Sequence, residues 1–110
     1  MAELSNFTIN TQLSSTAAAL FATPITGQVK LVNQLVFRNT SASSRTITVY
    51  MVQSGGSAAT TNELASRAIP PGREWMCIEA QAATLNEGQT LQAKQNTGTD
   101  VNVNCSGVIA

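Results

Sequence analysis

Residues 29–53 read VKLVNQLVFRNTSASSRTITVYMVQ: an apolar stretch, a polar turn and a second apolar stretch. Val29, Leu31, Leu35 and Phe37 fall on one face of a period-two ribbon, and Ile47, Val49 and Met51 do the same on the next. Such alternation marks a half-buried strand, because successive side chains leave opposite faces of the pleat. Asn39-Thr40-Ser41-Ala42-Ser43-Ser44 between them consists of residues that favour turns. The stretch predicts a hairpin at the centre of a sheet, and the rest of the chain reads as strands added to it.

Upstream, Leu4 to Ile9 predicts a short strand with Phe7 and Ile9 on one face. We read residues 1–16 as an N-terminal arm or edge strand, able to close its own sheet or to reach onto a neighbour. Residues 17–110 form one β-sandwich domain in this reading. The segment TAAALFAT (16–23) is taken as a strand, since Pro24 pushes Thr23 to an extended conformation. Downstream, Ser54-Gly55-Gly56-Ser57 is a loop. Asn62 to Ala68 carries the one helical signal, with Asn62 as cap and Glu63 four residues before Arg67. An irregular strand is the alternative there, because Leu64, Ala68 and Ile69 fit neither period.

Pro70-Pro71-Gly72-Arg73 is a sharp turn into a strand from Glu74 to Glu79. Asn86-Glu87-Gly88 is a hairpin-like turn. Gln89 to Gln95 is a strand with Leu91 and Ala93 on one face, and Asn96 to Thr99 turns again. Val101, Val103 and Cys105 then point inward, and Asn102, Asn104 and Ser106 outward. Seven or eight short strands at this spacing predict an all-β protein: an antiparallel β-sandwich or jelly-roll-like barrel, with at most one short helix near residues 62–68.

The 110 residues carry six basic and six acidic side chains and no histidine. Zero net charge argues against nucleic acid, which calls for an excess of Lys and Arg, and against docking on an anionic membrane. A chain without histidine lacks the commonest general base and metal ligand. The run from Leu4 to Val29 is uncharged, but Asn6, Asn10, Gln12, Pro24 and Gly27 interrupt it, so it is not a membrane span. Met-Ala-Glu lacks the basic and apolar regions of a signal peptide, which predicts folding in a cytoplasm. Cys77 and Cys105 have no metal-site spacing. Buried free thiols are the default for them, with a disulfide within or between chains as the alternative.

Searching the residues for chemistry predicts no enzyme, no cofactor and no metal site. Lys30 and Lys94 are read at exposed strand positions, and Glu74 and Glu79 on opposite faces of one strand, where they cannot converge. Ser54-Gly55-Gly56-Ser57 lacks the Lys-Ser/Thr tail of a phosphate loop. Three glycosylation sequons, at Asn6, Asn39 and Asn104, are chance matches without an export signal. Trp75, the only tryptophan, is either a carbohydrate platform or interface anchor, or a core or rim residue; aromatics are only 5% of the chain.

The runs LFATPITGQVKLVNQLVFRNTSASSRTITVYMVQSGGS and IPPGREWMCIEAQAATLNEGQTLQAKQNTGTDVNVNCSGVIA resemble a small β-domain recurrent in tailed bacteriophages. The likeness spans residues 20–110 and rests on turn and strand signatures: the turn before the first long strand, the Asn-Thr-Ser connection, Gly55-Gly56, Pro71-Gly72 and the closing alternating strand. Gln89 stands where an acidic residue often follows the glycine. The resemblance implies a virion structural protein that assembles, commonly as a trimer or ring, with other virion proteins. Its expected role is a capsid decoration (cement) protein stabilising the head, with a neck, tail or fibre-base protein as the alternative. A carbohydrate-binding host-recognition module is the third reading. Candidate interface residues are Leu4, Phe7, Ile9, Arg73 and Trp75.

Overall fold

The computed structural model describes residues 5–81 and 83–110. Leu4 lies outside the described residues. Among the described residues nine strands run in order: β1 Ser5–Gln12, β2 Ala18–Ala19, β3 Lys30–Asn39, β4 Arg45–Val52, β5 Glu63–Ile69, β6 Glu74–Met76, β7 Thr84–Leu85, β8 Thr90–Gln95 and β9 Val101–Ile109. One sheet has the order β1-β9-β3-β6, with β7 also on β3, and the other β2-β8-β4-β5; every pairing is antiparallel. Strands adjacent in sequence fall mostly in different sheets. The two packed antiparallel sheets are the β-sandwich that the strand spacing predicts, and this alternation gives it a jelly-roll topology.

The same topology corrects the reading of residues 29–53. β3 and β4 are not a hairpin. β3 pairs with β9, β6 and β7, and β4 with β5 and β8, so residues 40–44 arch from one sheet to the other. An arch and a hairpin use the same turn-forming residues, and both stretches are apolar enough for the middle of a sheet. The Asn86–Gly88 turn likewise joins β7 in one sheet to β8 in the other.

The face assignment of β3 also changes along its length. Val32 faces Gly107 and Gln34 faces Ser106, which leaves Asn33 as the extra residue of a β-bulge. Beyond the bulge Leu35 and Phe37 point inward as the alternation predicts. Before it the parity is reversed: Val32 is buried and Leu31 is 38% exposed. Lys30 therefore turns inward, against the expected exposed position. It is only 8% exposed, its Nζ donates to the Ala22 carbonyl at 2.6 Å, and it lies 5.5 and 5.4 Å from the ring centres of Phe7 and Phe21. The cation is held by ring faces and a carbonyl.

A second bulge explains the ambiguous helical signal. Val49 faces Ala65 and Tyr50 faces Glu63, so Leu64 is the extra residue. Residues 63–69 are strand β5, the irregular-strand alternative, and only Thr60–Asn62 makes a single 3-10 turn. The segment 16–23 contributes only the two residues of β2. Glu79 sits in the turn after β6 and so does not share a strand with Glu74.

The core lies between the sheets and is filled by Val32, Leu35, Phe37, Ile47, Val49, Ile69, Leu85, Leu91, Val101 and Val103, none more than 1% exposed. β1 closes the edge of its own sheet along its whole length, with Phe7 and Ile9 packed against this core. Cys77 and Cys105 are buried and free, and burial pushes both thiols up, Cys105 to about 11.

The β8–β9 arch is fastened to β4 by a two-pronged ion pair. Arg45 Nε and Nη2 donate to the two Asp100 carboxylate oxygens, each at 3.0 Å. These bonds hold the Asp100 carboxyl below the usual carboxylate range. Its stabilising effect is therefore present above the unfolded-state value, about pH 4, and is lost as the pH falls through the lower folded-state value. Asp100→Asn should lower the denaturation midpoint at pH 7, and the gap from wild type should close on acidification. A gap that stays constant from pH 7 to acid unfolding would remove the ion pair from this account.

Candidate functional site

The open side of the sandwich, where β5 ends one sheet and β6 ends the other, carries a groove of about 690 Å³. It is lined by Arg67 to Pro70 and by Arg73 to Met76. Local sequence explains the layout. Arg67 and Ile69 are two residues apart on β5, so they share a face; Ile69 is buried between the sheets and Arg67 is exposed. Arg73 N–H donates to the Pro70 carbonyl at 3.2 Å, and Gly72 has a φ of 71°. That is the turn expected of Pro-Pro-Gly-Arg, with glycine where the backbone turns left-handed.

Asn39 fixes this turn in place. Its backbone N–H donates to the Arg73 carbonyl and its carbonyl accepts from Gly72 N–H, both at 2.9 Å. Its side chain is fully buried: Nδ2 donates to the carbonyls of Ser43 and Ile69, and Oδ1 accepts from the N–H and hydroxyl of Ser41. One asparagine thus ties the β3–β4 arch, the end of β5 and the β5–β6 turn together.

Of the sequence-predicted interface residues, the structure brings Arg73 and Trp75 to this groove. Trp75 is 7% exposed and its ring stacks on Phe37 with centres 5.5 Å apart, so it forms wall rather than platform. Phe7 and Ile9 lie on β1, at the far edge of the β1-β9-β3-β6 sheet, and face inward; Phe7 meets Phe21 with ring centres 5.0 Å apart. They do not join Arg73 and Trp75. Residues missed in the sequence are Arg67, Ile69 and Met76, with Ile78 just beyond. Met76 and Ile78 are 48% and 68% exposed, among the most exposed large apolar side chains described. The signal was available: inward Trp75 puts Met76 outward.

The electrostatics of the groove are one-sided. Glu74 is neutralised by Arg38 on β3. Among the described residues the guanidinium groups of Arg67 and Arg73 make no ion pair or hydrogen bond. The groove therefore offers two cations, an apolar flank and strand edges, which is equipment for binding. Among the described residues no three Cys, Asp or Glu side chains gather as metal ligands. A second cavity, about 450 Å³, lies over the outer face of β4 and β8 against Tyr50, Gln92 and Lys94.

No protein-family model matches the chain, and no curated protein matches it in sequence. Solved structures similar to it include a subunit of Bacillus endospore appendages, described as disulfide-linked pili. That match has a TM-score of 0.57 and 17% identity over 97% of this chain and 85% of the other. A capsid chain of the infectious bursal disease virus particle matches with a TM-score of 0.40 and 12% identity, over 97% of this chain but 30% of the viral one. The pilus match bears out the sandwich fold.

Proposed function

We propose that this protein is a non-enzymatic structural subunit of a phage particle, a capsid decoration protein that strengthens the head by holding neighbouring capsomers together. The observation that carries this reading is the groove on the open side: exposed Met76 beside Arg67 and Arg73, which have no ion-pair partner among the described residues, where both sheets have free edges. Exposed apolar side chains rimmed by polar groups are the composition of a protein contact. The sequence resemblance to small β-domains of tailed phages supports the particle, and the fold it shares with a pilus subunit suits an assembling protein. A subunit that binds only the assembled shell stabilises it by mass action. Self-association, with a trimer favoured, belongs to the same proposal.

The buried ring of Trp75 leaves the sugar-binding alternative without its platform. The test is copy number per purified particle, by quantitative mass spectrometry against the major capsid protein. Hundreds of copies are expected. About a dozen would move the protein to the neck or tail, and none would overturn the proposal.

A further inference from the structure

The identity of the groove's occupant can be taken further, on the reading that this protein is a particle subunit. β5 is seven residues long and pairs with β4 on one side only. On its other side, every second residue presents its N–H and C=O to solvent, as any free antiparallel edge does. Such an edge is a template for an added strand. Proteins commonly blunt long edges with a charge, and Arg67 stands in the middle of β5. It discourages a second copy of β5, which would bring its own Arg67 to the same edge. It does not discourage a strand bearing carboxylates. Arg73 supplies a second cation on the opposite wall, and Met76 an apolar surface beside it.

We infer that the groove takes an extended acidic segment of a partner protein, which adds as a strand to the free edge of β5 with its carboxylates on Arg67 and Arg73. Backbone pairing supplies the affinity, and the two arginines select the partner by charge. The partner's apolar side chains, alternating with its carboxylates, fall on the opposite face of the added strand, beside Ser66 and Ala68.

Two synthetic peptides of alternating Val with Glu, or Val with Lys, test this against the full chain. The Glu peptide should shift the amide resonances of residues 63–69, slow hydrogen exchange at alternate β5 amides and move the emission of Trp75. The Lys peptide should do none of these. Arg67→Glu and Arg73→Glu, each expected to keep the wild-type melting temperature because both side chains are exposed, should weaken the Glu peptide roughly tenfold. Arg67→Gln and Arg73→Gln serve if the reversed charges disturb folding. Equal binding of both peptides, or the same response to inorganic tripolyphosphate, would overturn the inference, since neither needs an acidic strand. So would charge-reversed variants that bind the Glu peptide like wild type. Particle binding separates the two proposals. Charge-reversed protein that still decorates particles defeats the groove and spares the function, whereas wild type absent from particles defeats the function itself.

Discussion

Gly107→Ala is expected to cost about 3 kcal/mol of folding stability, the upper part of the range for forcing atoms into a filled interior. Gly107 is buried on β9 between Phe7 of β1 and Val32 of β3. A Cβ there would lie 2.1 Å from the Leu31 carbonyl oxygen and 2.7 Å from Cε1 and Cζ of the Phe7 ring. The ring could swing aside, but the carbonyl belongs to the backbone of β3 next to the bulge, so the strand itself must move. The melting temperature should fall by roughly 15 °C. Ser106→Ala is the control: Ser106 points to the outer face, and its loss should stay within about 0.5 kcal/mol. Denaturant midpoints read both. Equal midpoints for the two variants would mean that β3 and β9 are not pressed together at this point.

Asn39→Ala should be comparably damaging, by about 3 kcal/mol, because it removes two donated and two accepted hydrogen bonds of a buried network at once. The carbonyls of Ser43 and Ile69 would lose their side-chain donor in the interior. Asn39→Asp discriminates the cause. It keeps the shape but presents acceptors to those two carbonyls, so it should destabilise at least as much as alanine. An aspartate variant near wild-type stability would mean that volume, rather than hydrogen bonding, is what the site requires. Both variants should also speed hydrogen exchange at Gly72 and Arg73, whose turn hangs on the Asn39 backbone.

Alternation made the strands and their class legible, since a half-buried strand writes its own period into the chain. It could not say which strands pair. The arch between β3 and β4 uses the same Asn, Thr and Ser residues as a hairpin would, and the choice between them depends on β9 and β8, far along the chain. Nor could alternation survive a bulge. One extra residue at Asn33 inverted the faces of Lys30 and Leu31, and one at Leu64 made a strand read as a helix. The groove was half legible for a related reason. Arg73 and Trp75 stand out beside a turn, whereas Arg67 joins them only because β5 and β6 end different sheets on the same side. Phe7 and Ile9 were drawn to the interface by the prospect of a free arm, and β9 gave that arm a partner within the chain.

The placement of β9 has a kinetic side. It lies between β1 and β3 in its sheet, and Ser5 faces Ile109 across the first of these pairings. β1 therefore leaves the ribosome well before its partner β9, with seven strands made between them, and β3 waits for the same partner. Closing loops of that length before any pairing rewards them makes folding slow, on the millisecond-to-second scale of β-sandwiches. During that interval β1 has no partner in its sheet, and β3 has only the short strands β6 and β7. The absence of charge from β1 then leaves little to keep nascent chains apart, so yield on overexpression should depend on how fast β9 arrives.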